Sequence, residues 1–135
     1  MPAPADRIPF TRPVTAVAAD IDELGHVNNA VYLRWIQEVA TAHWQAVARP
    51  ADIARYVWVV TRHEINYLRP TLIDETVTLT TWVGTPKGAR FDRFVDVTDG
   101  VGRVRVRALT IWALIDQTTG RAVRVPHDVA APFLA

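Results

Sequence analysis

The sequence predicts an α+β fold, an antiparallel sheet covered by one long helix. Three observations predict it: a sustained helical stripe after residue 28, a run of strand-like segments behind it, and turn-like joins too short for crossovers.

In order, Ile8 to Ala19 reads as an extended opening segment, interrupted by Pro13 and so expected near a sheet edge. An acidic loop runs from Asp20 to Val27. From Asn28 or Asn29 the residues Tyr32, Trp35, Ile36, Val39, Ala40, His43 and Val47 fall at spacings of three and four, one face of a helix. Asparagine at its start suits an N-cap, and Pro50 is expected to end the pattern. Then the period changes. Tyr56 to Leu68, Thr76 to Val83, Phe91 to Val97, Arg103 to Ile115 and Arg121 to Val125 read as strands, joined by turns at Thr85–Gly88, Asp99–Gly102 and Asp116–Gly120. In the second, Val77, Leu79 and Val83 are expected on one face with the threonines opposite. Pro126 to Ala135 reads as a short closing segment.

With 135 residues the chain is expected to form one domain, residues 1–135, and half of its residues are hydrophobic, enough for a core. A net charge of +1 gives no global sign of nucleic acid as a partner. Without cysteine, disulfides, thiolate metal sites and a cysteine nucleophile are excluded. The four histidines are scattered without ligand spacing, so no metal is expected. The first residues lack the apolar core of a signal peptide, and no apolar run approaches the roughly 20 residues of a membrane span. A cytoplasmic protein with no membrane partner is the expectation. One helix cannot shield both faces and both edges of such a sheet, so a homodimer or homotetramer is expected.

The chemistry concentrates in residues 20–29, which bring the Asp20 and Asp22 carboxylates, the His26 imidazole and the Asn28 and Asn29 amides to a helix start. A helix N-terminus offers unpaired N–H groups and partial positive charge to a developing oxyanion. A carboxylate beside it can activate water or attack a carbonyl itself. A serine hydrolase is closed off, since the chain has no Ser and no G-x-S-x-G elbow, and neither a G-x-G-x-x-G nor a P-loop pattern is present.

The text of this stretch resembles the hotdog-fold thioesterases of the 4-hydroxybenzoyl-CoA thioesterase-like superfamily. Asp20, Asp22, Gly25, Val27, Tyr32 and Trp35 meet that group's D-x-D-x-x-G-x-V-x-x-x-x-Y pattern and the aromatic helix after it. His26-Val27-Asn28-Asn29 also looks like the plant acyl-ACP thioesterases and their bacterial relatives, as do Ile65–Pro70 with Asp74 and Trp112–Asp116 with Thr119-Gly120-Arg121 and Val125-Pro126. One departure is Leu24, where the plant enzymes carry an asparagine, so a mechanism that needs that amide to hold water does not carry over.

The resemblance implies a sheet wrapped around one central helix and hydrolysis of a thioester of CoA, or of acyl carrier protein, without a cofactor. It implies Asp22 as nucleophile or general base, against the plain reading of a loop acid that satisfies backbone N–H groups. Asp20 is expected to point away and brace the loop. His26 either orients or protonates, or is a polar loop residue. Asn29 is expected to present its backbone N–H to the thioester oxygen, or to act as the N-cap. Tyr32 lies on the apolar stripe and at most lines an acyl or pantetheine channel. Lys87 and Arg90, at a turn, are the basic residues expected to meet the nucleotide of CoA, with a solvated turn as the plain reading. Arg103, Arg105 and Arg107 are expected to form a solvated strand face. A hydratase on the same fold and a non-catalytic acyl-binding protein are the rival functions.

Overall fold

The computed structural model describes residues 3–134. Helix α1, Asn29–Val47, packs against one face of a six-stranded sheet built from β1, Phe10–Thr15, β2, Tyr56–Tyr67, β3, Thr76–Val83, β4, Arg90–Thr98, β5, Val104–Asp116, and β6, Arg121–Ala122. The strand order is β1-β3-β4-β5-β2, with β6 paired to β5, and every pairing is antiparallel. β1, which carries Pro13, lies at one edge, where a missing N–H breaks no ladder on the open side.

Alternation writes the inner face. Val77 and Leu79, Val95 and Val97, and Val106 and Ala108 come from three neighbouring strands and meet Tyr32, Trp35, Ile36 and Val39 of α1. Each valine, leucine or isoleucine among them contributes about 1.5–3 kcal/mol when fully buried. A second cluster joins the far end of α1, through Trp44, to Val83, Phe91, Leu114 and the C-terminal Val129 and Phe133. Thr81 departs from the expected pattern. It follows Leu79 onto the inner face and is fully buried there, its hydroxyl donating to the Phe94 carbonyl. Period two fixes its side of the sheet whatever its polarity.

Pro50 does not merely stop the long helix. α1 ends at Val47, and Pro50 opens α2, Pro50–Arg55, where its fixed φ and missing donor suit the first helical position. Arg49 clamps this turn by donating through Nε to Asp52 at 2.8 Å. Six residues are too few to show a helical period, so the sequence pattern passed over α2. The closing segment is a short helix, α3, His127–Ala130, followed by a 3-10 turn, Ala131–Phe133.

Candidate active site

The acidic loop is a tight reversal. The Asp22 N–H donates to the His26 carbonyl at 2.9 Å, Gly25 N–H to the Asp22 carbonyl at 3.0 Å, and Ile21 bridges Val27. Gly25 closes it at φ +81°, a region that L residues with a Cβ rarely occupy. Within the turn the Asp22 carboxylate accepts the Leu24 N–H through Oδ1 at 2.9 Å, and its Oδ2 has no partner among the described residues. Asp20 faces elsewhere. Buried, it accepts the Val17 N–H and the Arg34 guanidinium, each at 3.0 Å, while its carbonyl takes the Asn28 N–H. It ties the loop to α1.

Asn28 is the N-cap, its Oδ1 accepting the Ala30 N–H at 2.9 Å. Asn29 is therefore the first helical residue and not the cap. Among the described residues its N–H donates to no acceptor, as the geometry of a first helical turn dictates.

Asp22, His26, Asn29 and Tyr32 line one cavity of ≈ 380 Å³. Tyr32 is 2 % exposed, and its buried hydroxyl has no hydrogen-bond partner among the described residues. Opposite the loop the cavity is walled by Tyr67, Leu68, Arg69 and Pro70 at the end of β2. Tyr67 donates its hydroxyl to the Asn29 carbonyl at 3.3 Å and packs its ring 5.8 Å from Tyr32. Burial, and then the neighbouring Tyr32, raise the Tyr67 pKa above its usual value. Tyr67 and Arg69 were not singled out from the sequence, although both stand in the segment that carried part of the family likeness. An Arg-Pro closing a strand is a turn signal, and nothing local says which site it faces.

Lys87 and Arg90 lie elsewhere. They pair with each other across the β3–β4 turn, both exposed. That turn follows the end of β3, whereas the Asp22 loop is tied to the chain just before its start, through Val27 N–H to the Thr71 carbonyl. The eight residues of β3 separate them by roughly 23 Å. Within one chain these two bases do not reach the cavity. The arginine triplet is paired: Arg103 with Asp99, Arg105 with Glu75 and Arg107 with Asp96. No group of His, Cys, Asp or Glu that would hold a metal occurs among the described residues.

The pattern of the thioesterase-like superfamily matches residues 17–133. The chain belongs to that superfamily. Its sheet and central helix are those of the hotdog fold. Over 74 residues the chain is 31% identical to a chloroplastic acyl-[acyl-carrier-protein] hydrolase of Cuphea viscosissima, covering 54% of this chain. It spans only 18% of the length of that relative. A hypothetical protein of Staphylococcus aureus, solved in complex with CoA, superposes with a TM-score of 0.83 at 18% identity, covering 97% of this chain and 85% of that one. A Thermus thermophilus thioesterase, complexed with coenzyme A and Zn, superposes at 0.78 with 24% identity, covering 90% and 94%. At these identities the structures show the shared fold.

Proposed function

We propose that this protein hydrolyses an acyl-CoA thioester to a free carboxylic acid and CoA. One observation carries the reading: a carboxylate, an undonated helix N–H and a buried unpartnered hydroxyl converge on a single cavity. The thioester carbonyl oxygen sits at the Asn29 N–H, where the helix terminus stabilises the charge that develops on it. Asp22 either takes a proton from water as the water attacks, or attacks to give a mixed anhydride that water then cleaves; in both routes the thiol leaves. The Tyr32 hydroxyl meets a polar atom of the substrate. Arg69 is the basic group of the same chain that lines the cavity, and so the nearer contact for the phosphates of CoA.

The likeness to an acyl-[acyl-carrier-protein] hydrolase favours a second reading, in which the same chemistry acts on a carrier-bound acyl group. Thiol release from short, medium, long and aryl acyl-CoAs and from acyl carrier protein substrates separates the two. Asp22→Asn is expected to lower the rate at least 100-fold with the fold intact, in line with the roughly 10²–10⁴-fold contribution of a positioned acid or base. An undiminished rate in that variant would refute the assignment of Asp22.

A further inference from the structure

The other end of α1 covers a second cavity, of ≈ 240 Å³, lined by residues that the proposed hydrolysis does not use. Trp44 lies fifteen residues beyond Asn29, roughly 22 Å along the helix. Trp44, Trp58, Phe91 and Phe133 give it aromatic walls. Two polar donors stand as neighbours on the helix-facing side of the sheet. Arg93, on β4, is 8 % exposed, and Trp112, on β5, stands opposite Phe91, diagonal to Arg93. Diagonal neighbours on one face sit about 7–8 Å apart.

The protein satisfies Arg93 only in part and the Trp112 indole N–H not at all. Arg93 donates twice through Nη1, to His43 Nδ1 and to Thr81 Oγ1, each at 2.9 Å. Its Nε and Nη2 donate to no acceptor among the described residues, and it takes part in no ion pair there. Because a guanidinium has no lone pair to offer, His43 must accept at Nδ1 and carry its proton on Nε2. Burial lowers the Arg93 pKa to about 10, with no carboxylate close enough to raise it, although Asp92 of the adjoining position lines the cavity. The buried Trp112 indole N–H also has no acceptor among the described residues. A buried cation without a counter-charge is unfavourable, and a bidentate carboxylate is the partner its fork geometry fits.

We propose that this cavity binds a small aromatic monocarboxylate, its carboxylate on Arg93 and the Trp112 indole N–H and its ring among the aromatic walls. The size agrees, since about 150 Å³ suffices to hold a benzene ring. The site is independent of the Asp22 cavity and of the hydrolysis proposed there.

The test uses the whole chain, ¹⁵N-labelled at the five tryptophans, titrated with benzoate or phenylacetate and with the corresponding neutral amides. Trp112→Phe assigns the Trp112 indole resonance. The acids are expected to shift that resonance saturably and raise Tm, while the amides do neither, and Arg93→Gln is expected to weaken acid binding tenfold or more. Asp22→Asn is expected to bind the acids as the parent does. Should Arg93→Gln not fold, Trp112→Phe itself decides, with an expected loss of affinity of about fivefold read from Tm. Equal responses to acid and amide, no saturable shift, or binding lost with Asp22→Asn would each overturn the proposal.

Discussion

At the scale of single residues, burial decides the protonation of His43. Stacked 5.0 Å from Phe10 and edge-on to Phe133, it is desolvated and faces the Arg93 cation, which together lower its pKa to about 3. The unfolded chain therefore takes up a proton below about pH 6.5 that the native state refuses, so stability falls as pH drops from there toward 3. The slope is at most about 1.4 kcal/mol per pH unit. Denaturant unfolding at pH 7 and pH 5 should show a loss of up to about 2 kcal/mol from this group. His43→Gln should remove that part of the loss, and an identical pH dependence in the variant would disprove it. Tyr32 makes a contrasting case. Its hydroxyl is buried without a partner, so Tyr32→Phe should leave Tm unchanged or raise it, while KM rises for a substrate that uses the hydroxyl. A lower Tm with unchanged KM would instead make Tyr32 a purely structural residue.

At the scale of elements, the loop and the cap of α1 set the site. Asn28→Ala removes the cap bond and should lower stability by about 1 kcal/mol, measured from denaturant midpoints. Gly25→Ala meets nothing within 4 Å, so its cost is the strained φ of +81° alone, about 1 kcal/mol. Because that turn holds Asp22, the same variant should lose far more in kcat than its stability change explains. A neutral Gly25→Ala would show that the turn does not fix the carboxylate.

At the scale of the whole molecule, the sheet leaves β2 at an edge, with Val57 and Val59 exposed near its start. Edges of this kind invite pairing with another chain. Association of two subunits is also what would carry Lys87 and Arg90 to a neighbouring cavity, since they stand far from their own. Sedimentation should find a dimer or larger species, and Lys87→Ala with Arg90→Ala should raise KM for acyl-CoA without affecting a thioester that lacks the nucleotide. A monomer with full activity, or equal effects on both substrates, would leave the pair as a solvated turn and Arg69 as the nucleotide contact.

The sequence alone determined the order of the long helix and the main strands, the antiparallel sheet and the cluster of Asp22, His26, Asn29 and Tyr32, because these rest on periodicity and on residues close together in the chain. The loop text carried enough of a family pattern to point to thioester chemistry. Three things waited for the tertiary structure. Which asparagine caps α1 depended on backbone dihedrals one residue apart. The joining of Tyr67 and Arg69 to the cavity depended on β2 ending beside a helix start 38 residues earlier, which no local pattern records. The buried Arg93 reads in sequence as one of the basic residues, with Lys87 and Arg90, around a turn. Only the pairing of β4 beneath α1 places it inside, because a strand's period of two assigns a residue to a face without saying which face is covered.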